Sequence, residues 1–255
     1  MIRALIMSVV LALAGCAPSS PFPDMEPGET GRVTRIIDGD ALVLESGQSV
    51  RLVSIEAPAM YPRDGPPAPH AGESARRLED MALGRRVQLF YPGLTRDRYD
   101  RALAHVVTID GAGPTLWLNR EMIEAGAAWV RLYPSTAAKG RDLLAIEQIA
   151  RSERQGLWAR SDYAIRDAAQ ITPDLSGFFF VRGRVGAPVA ADEETRFPPA
   201  CLRKFEDAAL LLSVRRPAAT ACGLADGTAV IVRGRVRDGV LDLSHPFHLH
   251  LPEAD

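Results

Sequence analysis

Residues 32–55 read RVTRIIDGDALVLESGQSVRLVSI, and this stretch decides the fold. Arg32-Val33-Thr34-Arg35-Ile36-Ile37 alternates polar and apolar side chains, the period of a half-buried strand. Asp38-Gly39-Asp40 is a turn signal and Ala41-Leu42-Val43-Leu44 a second strand. Ser46-Gly47-Gln48 makes a second turn, and residues 50–55 a third strand. Short strands with such punctuation form a meander of hairpins.

Working outward, the Pro-rich residues 58–69 predict a loop. Residues 73–83 predict a helix with Ala75, Leu78, Met81 and Ala82 on one face and Gly84 ending it. Strands follow at 86–91 and 102–108, and a second helix at 118–125 stops at Gly126. A third helix spans 140–154 on the stripe Leu143, Leu144, Ile146, Ile149 and Ala150, and Gly156-Leu157-Trp158 closes the unit. The chain therefore reads as mainly β with α. Over residues 31–160 five strands with three helices suit a small closed barrel of the OB type. Residues 161–176 read as a linker, and 177–255 as a smaller β-rich C-terminal domain for which a second OB-like barrel is one arrangement. Its strand signals fall at 178–185, 210–214, 229–236 and 241–251. The pentapeptide VRGRV occurs there twice, at 181–185 and 232–236. Two copies make no repeat architecture, and each Gly predicts a bulge or bend.

Composition sets bounds on function. The 255 residues carry 30 Lys plus Arg against 32 Asp plus Glu, and 47% are hydrophobic. That excludes a disordered tail, a collagen-like chain or a polytopic membrane protein. A formal charge of −2 also excludes a strongly basic, histone-like binder, so any polyanion must meet a local patch. Only Lys139 and Lys204 are lysines. Arg suits bidentate phosphate recognition, although a GC-rich genome produces the same bias.

Residues 1–14, MIRALIMSVVLALA, join a short basic start to an apolar run too short for a membrane span. The run ends in Leu13-Ala14-Gly15-Cys16, which looks like a bacterial lipobox. This predicts a lipoprotein signal peptide over 1–15, lipidation of Cys16 as a membrane anchor, and an acidic tether over 16–30. The alternative is a plain secretory signal with an incidental Cys. Both readings place the protein outside the cytoplasm, and the lipoprotein reading places it in the cell envelope, on the periplasmic side or the cell surface. There Cys201 and Cys222 are candidates for a disulfide, with two free thiols as the alternative.

Four features in 31–160 carry chemistry: Asp38-Gly39-Asp40; Arg51 leading through Leu52 to Ile55-Glu56-Ala57-Pro58; Asp97-Arg98-Tyr99-Asp100-Arg101; and Gly156-Leu157-Trp158. In this order they resemble the staphylococcal nuclease (thermonuclease) family, whose pattern is DGDT, R-L-x-x-I-D-x-P-E, D-x-Y-G-R and a closing G-L-W. The resemblance runs from Gly31 to Trp158. It implies the OB-type barrel and Ca²⁺-dependent hydrolysis of DNA and RNA phosphodiesters. A hard cation on oxygen ligands and cationic donors at the phosphate serve that chemistry. By resemblance Asp40, Glu56 and the Ala57 carbonyl would hold the metal, Arg51 and Arg101 would face the phosphate, and Tyr99 would line the nucleotide pocket.

The departures from that pattern bear on activity. The family's general-base Glu is Ala59 here, and losing a positioned base costs roughly 10²–10⁴-fold in rate. Glu56 replaces Asp, Ala41 replaces Thr and Asp100 replaces Gly. Asp64 and Glu73 are the stand-in bases on offer. Arg51 and Arg101 could instead pair with Glu56 and Asp100, leaving a vestigial site. Trp129 and Trp158 read as core, while Tyr91, Tyr99 and Tyr133 offer stacking faces. His245, His248 and His250 are better read as a solvated strand end than as a metal site. Three functions compete: a membrane-anchored nuclease, a non-catalytic module binding nucleic acid or an envelope partner, and a structural envelope lipoprotein.

Overall fold

The computed structural model describes residues 20–62, 65–190 and 198–252. The signal peptide, Cys16 and Asp64 lie outside the described residues.

Strands β1 (Glu26–Asp38), β2 (Ala41–Leu44) and β3 (Ser49–Leu52) form the expected meander, and β4 (Ile55–Glu56) follows. After helix α1 (Ala71–Ala82) come β5 (Arg86–Tyr91), β6 (Ala102–Thr108), α2 (Leu118–Glu124), β7 (Trp129–Val130) and α3 (Gly140–Ser152). The strands close into a barrel in the order β1-β2-β3-β6-β5, with β3 and β6 parallel. Leu42, Val50, Leu52, Val87 and Leu89 fill it with no exposed surface. Helix α1 buries Ala71, Ser74, Leu78, Met81 and Ala82, the stripe its periodicity implies. Beside the barrel, β4 and β7 pair as a two-stranded ladder, Ile55 against Val130 and Glu56 against Trp129.

The second half is also a barrel. It comprises β8 (Arg166–Asp167), β9 (Gly177–Val189), β10 (Cys201–Phe205), β11 (Leu211–Val214), β12 (Ala229–Arg237), β13 (Val240–Leu243) and β14 (Leu249–His250). The order β12-β13-β11-β10-β9 is closed by pairing of β12 with β9, and β11 runs parallel to β13. This repeats the connectivity of the first barrel: neighbours antiparallel except for the third and fifth strands. The short β10 lacked a strong sequence signal because Arg203 and Lys204 interrupt it. Arg203 is buried nonetheless, and donates to the carbonyls of Gly186, Cys222 and Leu224 and to Asp226. Cys201 and Cys222 form a disulfide next to it.

Several boundaries differ from the sequence reading. Residues 26–30, read as tether, are the start of β1 and pair with β5. Phe22 and Met25 ahead of them are buried against Phe90 and Val107. Residues 161–176, read as linker, hold β8 against β9 and bury Ala168 and Ile171 in the second core. The expected strand over 241–251 is two strands broken at His245-Pro246, where a 3-10 turn, Pro246–His248, intervenes. Neither VRGRV glycine bulges the β9–β12 ladder, whose register is unbroken. Each permits close approach instead: a Cβ at Gly183 would stand 2.7 Å from the Phe205 ring, and one at Gly234 2.2 Å from the Asp242 carbonyl oxygen.

The two barrels share a packed seam. Trp129, Leu157 and Phe180 are buried together, with Trp158, Tyr163, Ile165 and Phe178 against them. Glu147 of α3 accepts from the Val130 amide and pairs with Arg233 of β12. His248, expected in solvent, is buried there and its Nε2 accepts from the Leu132 amide at 2.9 Å. Burial moved it because its ring fits beside Phe178, which no local pattern encodes.

Candidate nucleic-acid cleft

The turn between β1 and β2 positions the first site residue. Gly39 is required there because a Cβ would sit 2.7 Å from both Ala57 and Ser74. That closeness presses Asp40 into the barrel end with only 2% of its surface exposed. Its Oδ1 accepts from Arg51 Nη1 at 3.0 Å, and its Oδ2 from the Ala57 amide at 2.9 Å. Arg51 sits opposite Ala41 in the β2–β3 register, which brings the guanidinium to the turn. Burial pushes the Asp40 carboxyl up to about 7, against the pull of Arg51 and with a further push from Asp38.

Glu56 stands on β4. Ser54 turns the chain into that strand with φ 63, and its carbonyl accepts from the Arg131 amide at 3.1 Å. The β4–β7 ladder then sets Arg131 beside Glu56, and the two side chains form an ion pair. The Arg131 guanidinium lies between two rings, 5.2 Å from the Tyr133 centroid and 5.3 Å from that of Phe178. Arg101 pairs with Asp97 at 2.7 Å. The pairings Arg51–Glu56 and Arg101–Asp100 weighed from the sequence are therefore replaced by Arg51–Asp40 and Arg101–Asp97. Asp100 adopts φ 60, the conformation for which the family pattern carries Gly.

The arginines meet in one cleft of about 430 Å³, lined among others by Arg51, Arg101, Arg131, Tyr99 and Tyr133, while Asp40 and Glu56 lie behind Arg51 and Arg131 and do not line it. Tyr99 is 62% exposed with the Arg98 guanidinium over its ring at 4.7 Å. Tyr133 is also exposed, whereas Tyr91 is buried and spent on Glu29 and Arg96, so it offers no stacking face. Trp129 and Trp158 sit in the seam between the barrels. Ala59 is exposed, and Glu73 faces Arg76 on the outside of α1.

Asp40, Glu56 and the Ala57 carbonyl are hard oxygen donors of the kind Ca²⁺ takes. Asp40 and Glu56 are each held by an arginine, Asp40 by Arg51 and Glu56 by Arg131. The donor chemistry suits a divalent cation, provided Arg51 and Arg131 yield Asp40 and Glu56. Among the described residues no three His, Cys, Asp or Glu side chains group as a metal site, and this holds for the acids beside Arg51 as it does for His245, His248 and His250.

A closed five-stranded barrel with an arginine-lined cleft at its end defines an OB-type domain. Within that class, the staphylococcal nuclease homologue model matches residues 49–160. A thermonuclease of Staphylococcus hyicus is 23% identical over 163 residues, 59% of this chain and 90% of that protein. One from Staphylococcus intermedius is 24% identical over 165 residues, covering 62% and 92%. Protein ParB of Escherichia coli is 33% identical over 147 residues, covering 51% of this chain and 72% of ParB. The chain belongs to the staphylococcal nuclease homologue family, a family of nucleases. Sequence reading does not single out Arg131, because a lone Arg just after a two-residue strand carries no signal.

Proposed function

We propose that this protein is a lipid-anchored nuclease acting on DNA or RNA outside the cytoplasm, slow because Ala59 supplies no base. The observation that carries the reading is the convergence of Arg51 and Arg101 on one cleft, with buried Asp40 accepting from Arg51. Two guanidiniums suit the charge that builds on phosphorus in the transition state. Tyr99 offers a ring on which a base stacks. Asp40, Glu56 and the Ala57 carbonyl would hold Ca²⁺, which when bound supplies positive charge at the phosphate. Without a carboxylate at position 59 the attacking water is not oriented by the chain, a deficit of roughly 10²–10⁴-fold. The lipobox ending at Cys16 and the disulfide Cys201–Cys222 support an exported, anchored protein.

A second reading, a non-catalytic module that binds nucleic acid, is favoured by Ala59 and by the hold of Arg131 on Glu56. One assay separates the two. Single-stranded DNA and RNA are incubated with the wild type and with Ala59→Glu, in Ca²⁺ and in chelator. Cutting by wild type that Ala59→Glu accelerates supports the nuclease. Cutting by the variant alone marks a binding module derived from a nuclease, and inertness of both in Ca²⁺ ends the enzymatic reading.

A further inference from the structure

The second VRGRV has no role in the chemistry above. Its strand, β12, alternates cleanly: Val230, Val232, Gly234 and Val236 face the barrel interior, and Arg233, Arg235 and Arg237 face outward. Arg233 is committed to Glu147 in the seam. Arg235 and Arg237 are exposed and have no ion-pair partner among the described residues. Asp242, the acid opposite Arg235 on β13, is engaged by Arg215. In the first VRGRV copy both arginines are used internally, Arg182 on Asp167 and Arg184 on the Gly227 carbonyl.

Arg235 also lies near the cleft without lining it. In the β9–β12 register it stands directly opposite Phe178, so the two share a face of the sheet. Phe178 is the ring that covers Arg131 at the cleft wall. The positive charge of Arg235 acts on the Tyr133 hydroxyl together with those of Arg51 and Arg131. Alternate residues of a strand are about 6.6 Å apart, a spacing comparable with that of successive phosphates along an extended single strand.

We propose that the outer face of β12 extends the cleft, with Arg235 and Arg237 binding the phosphates of one nucleic-acid strand whose reacting phosphate lies at Arg51 and Arg101. The inference rests on the reading of the cleft as a nucleic-acid site. The second barrel then lengthens the bound strand by several nucleotides through unpaired arginines, without base-specific contacts.

The test measures fluorescence anisotropy of labelled dT4 and dT12 with the full chain in chelator, so that nothing is cut. Arg235→Ala/Arg237→Ala should weaken dT12 about tenfold and leave dT4 within about twofold. The slope of log K against log salt for dT12 should fall by about 1.4, roughly 0.7 for each phosphate left without its arginine. Arg51→Ala should weaken both. An unchanged dT12 affinity and slope in the double variant, with Arg51→Ala still weakening both oligonucleotides, overturns the extension and leaves the cleft standing. Equal losses on dT4 and dT12 in the double variant also overturn it. Failure of the wild type to bind either oligonucleotide overturns the cleft reading, and the extension with it.

Discussion

Phe178, at the start of the second barrel, covers the guanidinium of Arg131, which lies 5.3 Å from its ring centroid and holds Glu56 in the first. The second barrel therefore reaches the candidate metal carboxylate through one stacked cation.

Arg131 competes with any divalent cation for Glu56. In Arg131→Gln, Ca²⁺ affinity should rise by roughly tenfold, the scale of one charge-assisted hydrogen bond. Isothermal titration of wild type and variant measures it; equal affinities would remove Glu56 from the ligand set.

The Glu147–Arg233 pair crosses the seam with Glu147 only 1% exposed. Arg233→Ala strands a buried carboxylate and should cost about 3–5 kcal/mol in urea unfolding. Replacing both residues by Met should recover much of that loss. A single variant as stable as the wild type would show that the barrels do not depend on this contact.

His105 and His248 set the acid limit. Burial holds His105 down to about 4, with its ring between the Ala138 carbonyl and the Trp117 indole. Burial first, and then Arg233, holds His248 down to about 3. In the unfolded chain both take protons near pH 6.5, so between pH 6.5 and 4 the unfolded state binds two protons that the fold refuses, and stability falls on acidification. Asp40 works oppositely across much of that span, because its folded carboxyl titrates near 7 and its unfolded one near 4. Two protons outweigh one. The urea midpoint should be lower at pH 5 than at pH 7.5, and a midpoint that rises on acidification would contradict the assignment.

The Cys201–Cys222 disulfide closes a loop of sequence separation 21 around Arg203. In the chain-entropy picture it contributes roughly 3 kcal/mol. Reduction should lower the melting temperature of the second barrel, read by calorimetry with and without dithiothreitol. An unchanged profile would mean that the Arg203 network suffices.

The first barrel was legible in the chain because its signals are local. The alternation across residues 32–55, the stripe Leu78, Met81 and Ala82, and the Asp38-Gly39-Asp40 turn each state which side chains leave water, and burial of apolar surface does the rest. The departure at Ala59 is equally a matter of sequence. What periodicity cannot encode is the partner across the fold. Phe22 and Met25 sit in a segment with the composition of a tether, yet the barrel end offers Phe90 and Val107 to pack against.

The same limit governs the site. Asp40, Arg51, Glu56 and Arg101 could be nominated from their order along the chain. That Glu56 is taken by Arg131 depended on the β4–β7 ladder, which brings together two residues 75 apart in sequence, and that Asp40 is taken by Arg51 depended on the β2–β3 register. The exposure of Arg235 beside the cleft depended on β12 docking against β9 and on Phe178 entering the seam. The first barrel, the arginine and carboxylate candidates and the alanine at position 59 were readable from the chain alone. Only the tertiary structure decided the pairing of charges and the approach of the second barrel, because a charged side chain takes the nearest opposite charge in space, and nearness in space is set by packing.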